Sequence, residues 1–228
     1  MRRLLVIPAR LKSKRIKNKN IKNFFSKPII YYSLNSAKRS KLFIKIHVST
    51  ESKLIASTVN KLGFDVDFLR PKKLSTDKIP LIDVMKFVFH KYRKMNINFD
   101  EIWCLLPCAP LINHDDLILI SKTLKKLNKP VLTVSKFPAP VEWSFKIKNL
   151  RLKPVNKNKL LKNSQTFEKK YYDNGQLFAF PEKIFKNLNK NNFYDKFFAY
   201  ILPREKSVDI DEIDDWKFAE VLFKNLNR

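Results

Sequence analysis

Short strand-like segments alternate with helical segments along most of this chain, and this alternation limits the possible folds more than any other feature. Residues 4–7 and 44–49 are apolar or β-branched runs, and they flank a segment at 28–39 whose apolar residues recur at helical spacing. Repeats of strand, helix and strand form right-handed units whose parallel strands are covered on both faces. We therefore expect an α/β fold built on a doubly wound, mostly parallel sheet.

The alternation continues to the end of the sequence, with one interruption. The same patterns predict further helices at 52–62, 81–94, 114–127, 181–188 and 213–226, and further strands at 65–69, 101–106, 130–134, 176–180 and 197–202. Residues 138–172 break this rhythm with prolines and Asn-Lys steps, which indicates an excursion from the sheet. Because no repeat or low-complexity linker interrupts the 228 residues, we expect a single domain over 1–228 with that excursion inside it.

Composition sets limits on the class of protein. The formal net charge of +26 raises a nucleic-acid-binding protein as the alternative of another class, but the lysines are scattered and glycine is reduced to Gly63 and Gly175. Such scattering indicates a drift in composition, and the charge would still attract anionic substrates. No apolar run is long enough for a signal peptide core or a membrane helix, and Cys104 and Cys108 are spaced poorly for zinc. We expect a cytoplasmic protein with reduced thiols, without a nucleic-acid or membrane partner.

The loop after the first strand is the first place to look for chemistry, because ligands of open α/β sheets bind beyond the carboxyl ends of the strands. Residues 8–20 read PARLKSKRIKNKN and carry six lysines or arginines, which could give a triphosphate several charge-assisted donors. The spacing matches neither a Walker loop nor a dinucleotide-binding glycine turn. A solvated basic loop is the alternative interpretation of this segment.

The pattern PAR-x-x-SKR-x-x-x-KN resembles the signature loop of CMP-sugar synthetases of the CMP-nonulosonic acid synthetase family, also called acylneuraminate cytidylyltransferases. The resemblance implies a fold like that of the nucleotide-diphospho-sugar transferases. It implies nucleotide contacts by Pro8, Ala9, Arg10, Ser13, Lys19, Asn20 and, from the segment FLRP, Arg70. Arg10 and Lys19 match the triphosphate-binding positions. Leu11 and Lys12 depart from the family, which commonly has glycine or another small residue there.

A second resemblance concerns the sugar. Ser164 and Gln165, followed by YYDNGQLF at 171–178, are similar to the stretch typical of the pseudaminic acid branch of this family. Leu106 stands where sialic acid synthetases carry a glutamine, and Asn163 replaces a family arginine. The resemblance implies substrate contacts by a set of polar side chains, namely Gln165, Asp173, Asn174 and Gln176. A hairpin with ordinary edge polarity is the structural alternative.

A pair of aspartates near the carboxyl end predicts a metal site. On an extended segment, Asp209 and Asp211 point to the same side, so their carboxylates can share one Mg²⁺. The pair also resembles the family's DID element. Asp214 and Asp215 fit better as acidic residues at the amino terminus of the last helix.

The resemblance implies an enzyme, a cytidylyltransferase that couples CTP to a nine-carbon sugar acid with the help of Mg²⁺ and releases pyrophosphate. Arg10, Lys19 and Asp211 are its expected catalytic residues. Pseudaminic acid is the expected sugar; N-acetylneuraminic, legionaminic and ketodeoxyoctonic acids are the alternatives, and an inactive relative stays open. The excursion at 138–172 is expected to form a homodimer that helps close the sugar pocket.

Overall fold

The computed structural model describes residues 1–226, which form a six-stranded central sheet with helices on both sides and two small two-stranded sheets. The strands are β1 (Arg3–Pro8), β2 (Asn23–Phe24), β3 (Lys27–Pro28), β4 (Lys45–Ser49), β5 (Glu101–Leu105), β6 (Val131–Lys136), β7 (Phe145–Lys148), β8 (Arg151–Pro154), β9 (Tyr171–Pro181) and β10 (Phe198–Ile201). The helices are α1 (Ile30–Ser40), α2 (Lys53–Lys61), α3 (Leu81–Lys94), α4 (His114–Leu127), α5 (Glu182–Phe185) and α6 (Ile213–Leu226).

Six strands form the central sheet in the order β10-β6-β9-β5-β1-β4. The pairs β1/β4, β1/β5 and β6/β10 are parallel, and β9 runs antiparallel to both β5 and β6. Alternate residues of β1 enter opposite layers of the core, Leu5 and Ile7 on one side and Leu4 and Val6 on the other. Both faces of the sheet are therefore buried, as the near-continuous apolar run of β1 predicts.

The expected α/β class with a mostly parallel, doubly wound sheet is confirmed, and two local expectations are wrong. Residues 65–69 form no strand; they lie beside β4 through side chains, with Phe68 stacked on His47 at 4.3 Å and Asp67 paired with Lys45 at 2.6 Å. The helix expected at 181–188 is only Glu182–Phe185. At 181–188 the pattern correctly predicts burial of Phe185 and Leu188, but burial alone does not specify a long helix. At 65–69 Val66 and Phe68 are only half-buried and Leu69 is exposed, so this segment also lacks the burial expected of a strand inside the sheet.

The excursion leaves the sheet after β6 and returns as β9. Its centre is a hairpin of β7 and β8, in which Ile147 pairs with Leu152 and Lys146 with Lys153. Every residue of β7 is exposed, and β8 is exposed except at Pro154. The hairpin therefore contributes little to the core of its own chain.

Helix α6 fixes the segment that carries the aspartate pair. Trp216 and Ala219 on α6 are buried against Phe24 and against Ile210, which lies between the two aspartates. Asp215 accepts the backbone N–H groups of residues 211 and 212, at 3.0 and 2.7 Å, and so holds the turn that leads into the helix. Within residues 1–226, no helix combines the length and the apolar character that crossing a membrane requires.

Candidate active site

A cavity of about 600 Å³ opens beyond the carboxyl ends of β1 and β5. This volume lies in the range usual for small-molecule sites. Three segments contribute its polar wall: the loop after β1, residues 70–77, and the aspartate pair before α6. Its polar lining residues include Arg10, Ser13, Lys14, Arg15, Lys19, Asn20, Arg70, Ser75, Thr76, Asp77, Asp209 and Asp211. Cationic and anionic side chains therefore line the same cavity.

The cationic loop is bridged to residues 72–77 through Asp77. The carboxylate of Asp77 accepts a hydrogen bond from the guanidinium of Arg10 and pairs with Lys14 Nζ at 2.6 Å. Hydrogen bonds from Lys14 and Arg10 hold the pKa of Asp77 below its usual value. Since Arg10 and Asp77 both remain partly exposed, this pair is open to exchange with another anion.

Arg70 forms a second ion pair, in this case a buried one. Its Nη2 lies 3.2 Å from Glu51 Oε2, and its Nε donates to Ser75 Oγ at 2.9 Å. The other oxygen of Glu51 accepts the backbone N–H of Leu11 at 2.9 Å. Burial alone would raise the pKa of Glu51, but the hydrogen bond from Leu11 and the charge of Arg70 lower it. Glu51 thus couples the position of the cationic loop to that of Arg70.

The surroundings of Asp209 and Asp211 shift the pKa values of the two carboxylates in opposite directions. Burial, and then the neighbouring charge of Asp211, raise the pKa of Asp209 to about 6. Burial also opposes ionisation of Asp211, but hydrogen bonds from Lys19 and Arg15 lower its pKa below the usual value. The distances from Asp211 to these two cations are 3.1 and 2.7 Å. Lys19 also donates to the carbonyl of Ile210. The loop and the aspartate segment are therefore tied directly to each other.

The remaining predicted nucleotide contacts lie at the base of the loop. Asn20 is buried, donates to the carbonyl of Arg10 at 2.9 Å and accepts from Cys108 Sγ at 3.3 Å. Ala9 is also buried, and its N–H donates to the carbonyl of Ser49 at 2.9 Å. Pro8 and Ser13 face the cavity. Asn20 therefore stabilises the loop conformation at the same time as it borders the cavity.

The four side chains predicted to bind the sugar have a different placement, because none of them is on the wall of the cavity described for residues 1–226. Gln165 is exposed on the excursion. The amide of Asn174 is fully buried, accepting from Thr133 and donating to Ser135, each at 2.9 Å. Asp173 accepts the N–H of Gly175 at 2.9 Å and the hydroxyl of Tyr194 at 3.2 Å.

Gln176, the last of the four, donates from Nε2 to the carbonyl of Val208 at 2.7 Å. Its Oε1 is buried without a hydrogen-bond partner in the described chain. Gly175, between these polar residues, does line the cavity. One residue of the predicted segment, Gly175, thus borders the cavity, whereas the side chains of Asp173, Asn174 and Gln176 bind other parts of the protein.

The structure brings together the cations and the aspartate pair singled out in the sequence, and it adds Lys14, Arg15, Glu51 and Asp77. Glu51 follows the predicted strand at 44–49, and Asp77 follows the FLRP segment that contains Arg70, but the sequence alone singles out neither of them. Their pairing with Arg70 and Arg10 could not be read from a single sequence. Leu106, Pro107 and Cys108 add the apolar part of the wall at the end of β5.

Comparison with known proteins finds relatives that match nearly the whole chain. The family model described as cytidylyltransferase matches residues 4–224. A pseudaminic acid cytidylyltransferase of Campylobacter jejuni is 30% identical over 227 residues, covering 98% of this chain and 97% of the relative. A CMP-N,N'-diacetyllegionaminic acid synthase of Legionella pneumophila is 30% identical over 230 residues, with coverages of 98% and 97%.

Among solved structures, a CMP:2-keto-3-deoxy-manno-octonic acid synthetase complexed with CTP superposes with a TM-score of 0.71. It is 14% identical and is covered over its whole length, against 99% of this chain. At this identity the likeness concerns the fold, and it confirms the expected architecture.

Proposed function

This chain belongs to the cytidylyltransferase family, and from that membership we propose that it couples CTP to a nonulosonic acid, most specifically pseudaminic acid. The products would be the CMP-sugar and pyrophosphate. One observation supports the proposal above all others: a single cavity is lined both by the cationic loop after β1 and by the carboxylates of Asp209 and Asp211. Phosphate groups and a divalent cation are the ligands that such a combination suits.

Arg10 and Lys14 would bind the β- and γ-phosphates. Both cations are engaged by the single carboxylate of Asp77, which lies on the exposed segment 72–77. A triphosphate offers more negative charge and more acceptor oxygens than one carboxylate, so it would replace Asp77 as their partner. Lys19, which is largely buried and held by Asp211, would stay in place and stabilise charge as pyrophosphate leaves.

Asp209 and Asp211 would hold Mg²⁺. Their fit to a hard cation rests on the donor set, two carboxylates that line one cavity. When bound, Mg²⁺ would supply polarisation of the phosphate oxygens. Lys19 and Arg15 already neutralise Asp211; as the metal binds, the exposed Arg15 would shift towards the phosphates, while the largely buried Lys19 stays in place.

The reaction would be an in-line displacement. The anomeric hydroxyl oxygen of the acid forms a bond to the α-phosphorus of CTP, the bond to the β-phosphate bridging oxygen breaks, and the hydroxyl proton passes to water. The protein would contribute mainly orientation and charge stabilisation. The histidines are poor candidates for a general base, since His47 is fully buried on β4 and His90 and His114 lie on helices outside the cavity.

Pseudaminic acid is favoured over the other sugar acids by Leu106 and by the sequence from Ser164 to Phe178. Leu106 lines the cavity and offers no amide to a substrate hydroxyl. The curated relatives include pseudaminic acid and legionaminic acid enzymes at the same 30% identity, so identity does not separate these two acids. N-acetylneuraminic and ketodeoxyoctonic acids are the further alternatives. Because CTP is a cytoplasmic metabolite, we place the reaction in the cytoplasm.

The decisive experiment is pyrophosphate release from the purified chain with Mg²⁺ and CTP, offered the four acids in parallel. We expect release with pseudaminic acid. Release with another acid alone would keep the reaction and change the sugar. Silence with all four, together with nucleic-acid binding that falls steeply with salt, would favour the basic nucleic-acid-binding protein.

Two pairs of variants test the roles of the residues. Arg10→Ala should raise the KM for CTP by about 10- to 100-fold, the size expected for lost hydrogen bonds to charged groups, while Lys12→Ala, outside the cavity, should change it little. Asp211→Asn should lower kcat by about 100-fold or more, and its neighbour Glu212→Gln should not. Equal effects within either pair would contradict that assignment.

We also propose a homodimer formed through the excursion. The hairpin of β7 and β8 is amphipathic: Phe145, Ile147 and Leu152 lie on one face, and Lys146, Lys148, Arg151 and Lys153 lie on the other. The apolar side chains are 44%, 71% and 62% exposed, which is unusual for a contiguous apolar surface on an isolated chain. A second copy of the hairpin would cover this face.

A further inference from the structure

The pairing of β9 with β6 changes register where β9 passes the cavity. Val134 of β6 pairs with Asp173 and Leu132 pairs with Phe178, so residues 174–177 of β9 stand opposite the single residue Thr133. This irregularity is a large β-bulge, a feature that bends a strand and is common beside active sites. We refer to residues 174–177 as the β9 bulge.

The β9 bulge is held firmly from both neighbouring strands. The hydroxyl of Thr133 donates to Asn174 Oδ1 at 2.9 Å and accepts the N–H of Leu177 at 3.0 Å. From β5, the N–H of Leu106 donates to the carbonyl of Gln176 at 2.9 Å. Buried hydrogen bonds to both neighbouring segments thus hold the bulge, and it can act as a support for what lies on it.

The carboxylate of Asp209 rests directly on Gly175. A Cβ built on this glycine would lie 2.8 Å from Asp209 Oδ2, closer than real Cβ atoms approach, and 3.0 Å from its Cγ, a tight contact, so the carboxylate would have to move. The φ angle of Gly175 is +64°, in the left-handed region that favours glycine. The absence of a side chain at this position thus determines where the Asp209 carboxylate can be.

Gln176 fixes the backbone next to the same aspartate. Its amide Nε2 donates to the carbonyl of Val208 at 2.7 Å, and the side chain is only 2% exposed. Val208 immediately precedes Asp209, and Ile210 immediately follows it in the core beside α6. The backbone of Asp209 is therefore held through both of its neighbours in the chain, and its carboxylate packs against Gly175.

We propose that Gly175 and Gln176 are positioning residues that set the Asp209 carboxylate for the metal, the glycine by leaving space and the glutamine by anchoring the preceding carbonyl. The inference rests on the proposed function, since it takes Asp209 as a metal-binding carboxylate. It gives Gln176 a role towards Asp209 in place of the sugar contact predicted from the sequence. It also accounts for glycine at this position in a chain that has only two.

The test compares alanine substitutions at two glycines that both have a left-handed backbone, so that both substitutions introduce similar conformational strain. Gly63 has a φ of +80°, and a Cβ there would meet nothing within 4 Å, so Gly63→Ala introduces the strain of a left-handed alanine without a steric contact. Mn²⁺ binding to each purified variant would be followed by electron paramagnetic resonance, with thermal unfolding measured alongside. We expect Gly175→Ala to weaken Mn²⁺ binding at least tenfold and Gly63→Ala to leave it unchanged, although both lower the melting temperature.

A second variant keeps the test independent of backbone strain. Gln176→Met removes the amide donor at nearly constant volume, and it should weaken Mn²⁺ binding several-fold and raise the Mg²⁺ concentration needed for half-maximal turnover. Wild-type Mn²⁺ affinity in both Gly175→Ala and Gln176→Met would overturn the positioning role while leaving the metal site intact. Failure of the wild-type protein to bind Mn²⁺ would overturn the metal site as well.

Discussion

His47 is the clearest case of a titratable side chain that the fold keeps neutral. It is fully buried on β4, its ring is stacked on Phe68, and its Nδ1 lies 3.0 Å from the hydroxyl of Tyr92. The single hydroxyl hydrogen of Tyr92 is donated to Asp67 at 2.8 Å, so the hydroxyl oxygen is left to accept from Nδ1–H of a neutral ring. Burial is the main cause that lowers the pKa of His47 from 6.5 to about 4.

This pKa predicts how the stability of the protein depends on pH. Between pH 6.5 and 4 the unfolded chain protonates His47 and the folded chain does not, so the free energy of unfolding falls as pH falls through this window. At about 1.4 kcal/mol per pKa unit, lowering the pH from 7 to 4.5 should cost the wild type roughly 2 kcal/mol more than it costs His47→Phe. Denaturant unfolding at several pH values measures the slope.

The matched control for this prediction is His90→Gln, because His90 is an exposed histidine on α3. Desolvation, and then the charges of Lys86, Arg93 and Lys94, also lower the pKa of His90, but no large shift results, so His90→Gln should remove a smaller part of the slope than His47→Phe. Parallel slopes for the wild type and His47→Phe would show that other groups dominate the acid destabilisation.

At the same scale, the sequence predicts the charged residues of the site better than their partners. Arg10, Lys19, Asp209 and Asp211 stand in recognisable segments and do face one cavity. Their partners follow from the approach of distant segments, as in the bond between Arg10 and Asp77, which are 67 residues apart. Propensity and period describe only neighbours along the chain, so such pairs require the tertiary structure.

At the level of secondary-structure elements, several helices of this glycine-poor chain end at a non-glycine residue in the left-handed conformation. Left-handed residues other than glycine include Asn96, Asn128, which caps α4, and Lys41, which caps α1 with a φ of 54°. Asparagine tolerates this conformation because its side chain can form local hydrogen bonds. Lysine has no such compensation, so the end of α1 stores backbone strain.

Lys41→Gly should therefore stabilise the protein. Relief of the left-handed strain contributes about 1–2 kcal/mol, and the greater freedom of glycine in the unfolded chain removes about 0.5–1 kcal/mol of it. We expect a net gain of about 0.5–1 kcal/mol in the free energy of unfolding, measured by denaturant titration. Asn128→Gly serves as the control and should give a smaller gain; an equal gain at both positions would argue against the strain at Lys41.

The bounds of the long helices can be predicted from the sequence, whereas the direction and the bulge of β9 cannot. Helices α3, α4 and α6 have the expected bounds, because long amphipathic periods and caps such as the capping box of Asn113 and Asp116 are local signals. The β9 bulge and the antiparallel direction of β9 have no comparable local signal. They depend on the excursion at 138–172, which returns the chain to the sheet from the opposite end.

For the whole molecule, the net charge of +26 acts in two opposing ways. It attracts CTP and sugar acids to the cavity from a distance, and it also makes two copies of the chain repel each other. A homodimer must therefore gain enough from apolar contact to exceed this repulsion. The exposed apolar face of the β7–β8 hairpin is the surface that could provide such contact.

This balance predicts the behaviour of paired substitutions on the two faces of the hairpin. Ile147→Gln combined with Leu152→Gln should give monomers in sedimentation velocity, because the two side chains are a cross-strand pair on the exposed apolar face. Lys146→Gln combined with Lys153→Gln alters the opposite face at the same level and should keep the dimer, or tighten it by reducing repulsion. Raising the salt from 0.01 to 0.1 M shortens the screening length from about 30 to about 10 Å, so it should favour the wild-type dimer. A dimer that survived loss of the apolar pair, or that dissociated as salt was added, would place the interface elsewhere and make charge complementarity its cause.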